Sequence, residues 1–164
     1  MNADEITIGQ AFDSLNSALN EYLTEGVIST ESIEIFNSAV QVDLNFRDVL
    51  MGLPKHHNLG DVSGFISYII PLVDGADKVP YIAVLSSYAF ESTSSVELAN
   101  RILADALEIN PDYALGKLLK RVYEAGWDSS MFVSMRNQLD DKVRDTVQER
   151  WDTTIAEINE WANA

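Results

Sequence analysis

Cysteine is absent from the 164 residues, and histidine occurs only as the pair His56-His57. Without a thiol there is no disulfide, no thiolate nucleophile and no zinc or iron–sulfur site built on sulfur. The adjacent histidines point in different directions, and no third His or Cys completes a zinc site. They read as part of a solvated loop, "PKHHNLG". Positive charge is scarce: 11 Lys and Arg stand against 26 Asp and Glu, a formal charge of −15. Before Arg47 there are eight acidic residues and no basic one. Such a chain repels phosphate backbones and anionic bilayers, so neither nucleic acid nor membrane is an expected partner. Long apolar runs are missing too. "GFISYIIPLV" (Gly64 to Val73) is too short to span a bilayer and carries a proline. "MNADEITIGQ" lacks the basic and apolar regions of a signal peptide, so the expected location is the cytoplasm. The glycines occur singly and build no phosphate-cradling loop; no cofactor and no metal are expected.

What is present is helical periodicity. Between Thr7 and Glu25, Ile8, Ala11, Phe12, Leu15, Ala18, Leu19, Tyr22 and Leu23 fall at a 3–4 spacing, with Gly26 as C-cap. "STESIEIFNSAV" opens on Ser29 or Thr30 and buries Ile33, Phe36 and Val40. "DLNFRDVLMGL" gives a third helix, and "DVSGFISYIIPLV" a fourth, capped by Asp61 or Ser63. "KVPYIAVLSSYAF" begins with Pro80 in a first turn. The next helix starts among Ser92 to Ser95, with Ser94 and Glu97 spaced as a capping box. No alternating two-residue pattern persists. The predicted fold is all-α, about seven to nine helices in one domain over residues 1–164, with an internal seam near 74–79 and a long C-terminal helix at about 140–162.

One stretch has a finer pattern. Counting back from Pro111, Ala106, Leu103, Ala99, Phe90 and Ser87 lie 5, 8, 12, 21 and 24 residues away. A tetratricopeptide repeat wants small, large, small, aromatic and small residues there, because close helix pairing needs alternate gaps and fillers. Shifting by the repeat period of about 34 residues puts Lys117, Lys120 and Glu124 at apolar places. The pattern therefore predicts a single helical hairpin and no array.

The string "YIAVLSSYAFESTSSVELANRILADALEINPDYALGKLLKRVYEAG" resembles the C-terminal part of an actinobacterial family known as domain of unknown function 4192. "FRDVLMGL" (Phe46 to Leu53) resembles that family's "RDALL"-like segment, and the likeness covers roughly residues 42–127. Ser94 stands where the family usually has glycine, an acidic surface replaces an Arg/Ala-rich one, and the family's N-terminal β-containing part has no counterpart. A stand-alone acidic piece of this kind looks like the product of an actinobacterial phage, acting in the host cytoplasm. The resemblance implies no enzyme activity.

Three surfaces carry functional expectations. The C-terminal helix presents Val143, Val147, Trp151, Ile155, Ile158 and Trp161 as one apolar stripe, either packed on its own domain or offered as a protein-partner or homo-oligomer seam. Lys117, Lys120 and Arg121 form the one basic cluster, with Glu124 at ion-pairing spacing. Asp61, Asp74 and Asp77 are the ligands a divalent-metal enzyme would have to use, although they match no calcium loop. Asp140-Asp141 read as helix N-terminal charges. The expected function is a non-enzymatic interaction module for a basic protein partner. A carboxylate–metal enzyme and an acidic nucleic-acid mimic are the alternatives.

Overall fold

The computed structural model describes residues 5–162, with side chains through Glu160. Nine α-helices and no strand occur among the described residues, so the chain is all-α. None of these helices is long and apolar enough to cross a membrane. Contacts divide the chain into two units: residues up to Leu50 with those from Asp140 onward, and Met51 to Leu139.

In the first unit, α1 (Ile8–Glu25) packs chiefly on α2 (Thr30–Val42). The Thr7 hydroxyl accepts from the Gln10 N–H at 3.0 Å, and the Gln10 carboxamide accepts from the Thr7 N–H at 2.9 Å. This reciprocal cap fixes where α1 begins. Gly26, at φ +76°, ends it in the left-handed conformation that glycine adopts without strain. Ser29 caps α2. Ile8, Leu15 and Leu19 of α1 and Ile33, Phe36 and Val40 of α2 supply buried apolar side chains. Helix α3 (Leu44–Met51) follows after the single residue Asp43.

The C-terminal helix expected at 140–162 is two helices. Helix α8 spans Ser129–Glu149 and α9 spans Ile155–Ala162. The turn between them is held from both sides. Thr154 and Glu157 form a reciprocal cap, each side chain accepting from the other's N–H at 3.2 Å. The start of α1 then reaches the same turn: Ile8 N–H donates to Thr153 O at 2.9 Å, and Gly9 N–H to Trp151 O at 2.9 Å. Ile155 N–H returns a bond to Ile6 O at 2.8 Å. Those first N–H groups of α1 have no partner inside their own helix, so carbonyls released by the break satisfy them. Because α8 begins at Ser129, Asp140 and Asp141 are interior helix positions and not N-terminal charges. Asp140 is buried and accepts from Arg144 Nε at 3.2 Å.

In the second unit, α4 (Leu59–Ile69) is capped by Asn58, whose carboxamide accepts from Asp61 N–H at 3.1 Å; neither Asp61 nor Ser63 takes that role. Asn58 has the extended backbone an N-cap needs, φ −62° and ψ 132°, whereas Asp61 and Ser63 lie inside the helix. Helices α5 (Lys78–Thr93) and α6 (Val96–Ile109) make the expected hairpin. Ser87, Phe90, Ala99, Leu103 and Ala106 are all buried to 1% exposure or less, as close helix pairing requires. Ser94 is the left-handed C-cap of α5, at φ +55°, and Ser95 caps α6, accepting from Leu98 N–H at 3.0 Å. The Ser94–Glu97 capping box is therefore not formed; a residue closing one helix cannot also adopt the extended N-cap conformation of the next. Residues 74–79 lie inside this unit. There the Lys78 ammonium donates to the carbonyls of Ile70 and Val73, at 2.6 Å each, and ties α5 to the end of α4. Helix α7 (Ala114–Glu124) follows the Asn110-Pro111 break and ends before Gly126, at φ +75°.

A charged pair sits deep in this unit. Arg136, on the first half of α8, is 1% exposed. Its guanidinium donates to both carboxylate oxygens of Glu91, the Nη2–Oε1 bond being 3.3 Å, and Nη2 reaches Asn137 Oδ1 at 3.0 Å. Nearby aromatic packing joins Phe90 to Tyr123 and Phe132 at centroid separations of 4.9 and 5.9 Å. The Ser86 hydroxyl donates to Ala99 O at 2.7 Å and lies 2.9 Å from the Tyr123 hydroxyl.

Candidate functional site

The apolar stripe of the C-terminal region faces inward. Val143, Val147, Ile155 and Ile158 are between 1% and 6% exposed, packed within their own unit. Trp151 is half-buried, tilted against Phe12 at a centroid distance of 5.6 Å, and Arg144 stacks over the same Phe12 ring at 5.6 Å. Gly9 makes room for it, since a Cβ at that position would lie 2.3 to 2.6 Å from three atoms of the indole. The Trp161 side chain lies outside the described residues. A buried side chain cannot anchor a partner without opening the fold, so Val143, Val147, Ile155 and Ile158 are core residues and not an exposed partner seam.

Its polar border builds something else. Where α2, α3, α8 and α9 meet, a cavity of about 510 Å³ opens within the first unit. Val42, Leu44 and Ile158 give it apolar walls, and Asp43, Arg150 and Glu157 bring charge to it. The size is that of a small-molecule or side-chain pocket, and an apolar wall with a few convergent polar groups is the usual composition of one. Leu44, at 67% exposure, is the most exposed large apolar side chain among the described residues.

Asp43 is the central group. It ends α2, donating its N–H to Ala39 O at 2.8 Å, and begins α3, where Asn45 N–H donates to its Oδ1 at 3.1 Å. Arg150 Nη1 donates to that same Oδ1 at 3.2 Å. The other oxygen, Oδ2, is buried and has no hydrogen-bond partner among the described residues. An ionised carboxylate offers about four acceptor positions, so burying half of them unused is costly. Arg150 keeps 29% of its side chain exposed, against 4% for Asp43. Next along α3, burial lifts the Asp48 carboxyl above its ordinary value against the pull of the Arg47 guanidinium, 2.8 Å away, and the Asp43 charge adds to the lift.

The remaining predicted sites fall in the second unit. Lys117, Lys120 and Arg121 lie exposed on α7, whose other face buries Leu115, Leu119 and Val122. Lys117 reaches Asp112 at 3.5 Å in an exposed pair, whereas the Lys120–Glu124 and Arg121–Glu124 pairs are not formed. Exposed pairs of this sort contribute little. Among the described residues no three His, Asp or Glu side chains gather as a metal-ligating cluster, and Asp61, Asp74 and Asp77 do not converge.

The sequence reading missed the Asp43–Arg150 pair, whose members are 107 residues apart. A local signal for its frame was present: "TTIAE" places Glu157 three residues after Thr154, the spacing of a capping box, and so marks a new helix start. Comparison of the chain with protein-family models, with curated proteins and with solved structures finds no match in any of the three.

Proposed function

We propose that the chain is a non-enzymatic binding module that engages a basic protein partner through the cavity between α2, α3, α8 and α9. The observation supporting this reading is the cavity itself: apolar walls and a projecting Leu44 on a chain of charge −15. Apolar burial supplies affinity at such a surface, while the acidic field speeds encounter with a basic partner and rejects acidic ones. The resemblance to the actinobacterial family would make that partner a host protein and the chain a phage product.

Affinity capture from an actinobacterial lysate tests it, using the wild-type chain and Leu44→Asp at low and high salt. Leu44 is exposed, so the variant leaves the core intact. A specific partner should be retained by the wild type, weakened by salt because surface charge is screened, and lost with Leu44→Asp. No specific partner, or one indifferent to both changes, would overturn the reading.

A further inference from the structure

We infer that this cavity takes an alkylammonium group, an apolar stem ending in a cation; the inference rests on the cavity being the recognition surface. The charges that line the cavity are Asp43, Glu157 and Arg150, which leave it with net negative charge. Arg150 satisfies only Oδ1 of Asp43, and Oδ2 lacks a donor among the described residues. An ammonium brings three N–H donors and the missing positive charge. Glu157, whose Oε2 is engaged by the Thr154 N–H, stands at the same wall as a second carboxylate. Val42, Leu44 and Ile158 cover the stem. The partly exposed Arg150 side chain is the member that turns aside to admit the guest, because the Asp43 side chain is buried and its Oδ1 is held by the Asn45 N–H at the start of α3.

A carboxylate guest on Arg150 is the competing chemistry. It would have to enter against Asp43, Glu157 and the acidic field of the whole chain. Lysine side chains of a partner and free amines share the ammonium chemistry, and the experiment separates them.

The ¹⁵N-labelled full chain is titrated with n-hexylammonium, hexanoate and hexanol at neutral pH, following the backbone amides of Thr146, Arg150, Thr153 and Ile158. Saturable shifts at these amides are expected with hexylammonium, weaker ones with hexanol and none with hexanoate. Across butyl-, hexyl- and octylammonium, affinity should rise by about fourfold per methylene, the equivalent of ~0.8 kcal/mol each. Asp43→Asn should weaken binding at least about tenfold, since it removes a charge-assisted bond. Should that variant not fold, Thr146→Phe, which fills the cavity from a half-buried position, should abolish the shifts while the circular dichroism stays unchanged. Hexanoate binding as tightly as hexylammonium, or amine shifts that neither saturate nor map to these amides, would overturn the inference.

A Leu-Lys-Leu peptide and its N-ε-acetylated counterpart form the second arm. Binding of the unmodified peptide alone identifies a partner's lysine as the source. Binding of hexylammonium without either peptide keeps the inference and sinks the protein-partner reading. A captured protein that is indifferent to hexylammonium competition separates the two the other way.

Discussion

Glycine in the first turn of a helix is ordinarily worth replacing by alanine; here it should not be. Alanine gains up to about 1 kcal/mol over glycine in helix propensity. At Gly9 the added methyl meets Trp151 at 2.3 Å from Nε1, 2.5 Å from Cε2 and 2.6 Å from Cδ1. Carbon contacts are comfortable near 3.5–4.0 Å, so the indole must retreat by about 1 Å or more. It has little freedom to do so, with Phe12 against its ring and its carbonyl held by the Gly9 N–H. Forced overpacking of this kind costs about 1–3 kcal/mol. Subtracting the propensity gain leaves Gly9→Ala less stable by up to about 2 kcal/mol, or a Tm lowered by up to roughly 8 °C at this chain length. Urea and thermal unfolding followed by far-UV circular dichroism measure it. The same substitution in a Trp151→Ala background should change sign and stabilise by up to about 1 kcal/mol, because only the propensity remains. A raised Tm in the wild-type background, or an equal effect in both, would refute the clash as the dominant cause.

Removing Arg136 alone, as Arg136→Met, should cost up to about 3 kcal/mol, the low end for a buried pair because the Glu91 side chain left without its guanidinium is 17% exposed, whereas Arg136→Met with Glu91→Leu should lie near wild type in the same unfolding assay. Burial raises the phenol pKa of Tyr81, Tyr88 and Tyr123, the last to about 12 from 10.0 despite the Ser86 hydrogen bond that pulls it down. The folded state thus prefers the neutral phenols: their contribution is complete below pH 10.0, and the Tyr123 share is lost as pH rises through about 12. A spectrophotometric titration should show these phenols ionising late and together with loss of helix; ionisation near 10 with the helices intact would contradict their burial. Ser94→Gly should raise stability by about 0.5–1 kcal/mol, as relief of left-handed strain exceeds the added unfolded-chain entropy; a loss of stability would place more value on the 2.6 Å Ser94–Ser129 hydroxyl contact than this reasoning allows.

Much of the fold was legible because its determinants are local. The Thr7 start and Gly26 end of α1, the Ser29 cap of α2 and the small–large–small spacing of the α5–α6 hairpin each lie within a few turns of what they control. The errors have a common physical form. Ser94 or Ser95, and Asn58 or Asp61, differ by a few residues in a polar run, where backbone conformation decides which side chain caps. The long C-terminal stripe failed differently. Its period is helical on both sides of residues 150–154, and what breaks it is the start of α1, some 140 residues earlier in the chain. The candidate site was illegible for the same reason: neither Asp43 nor Arg150 is unusual alone, and the orphaned oxygen exists only once the two are brought together.

The pairing of residues 6–9 with 151–155 also sets a timetable. A chain made from its N-terminus at about 5–20 residues per second presents α1 roughly 7–30 seconds before the turn that completes its first hydrogen bonds. In that interval the whole of the second unit, Met51 to Leu139, emerges and can fold. The apolar faces of α1 and α2 must meanwhile shield each other or be shielded by a chaperone. The first unit is thus the last to close, and its cavity forms only after the second unit has had time to fold.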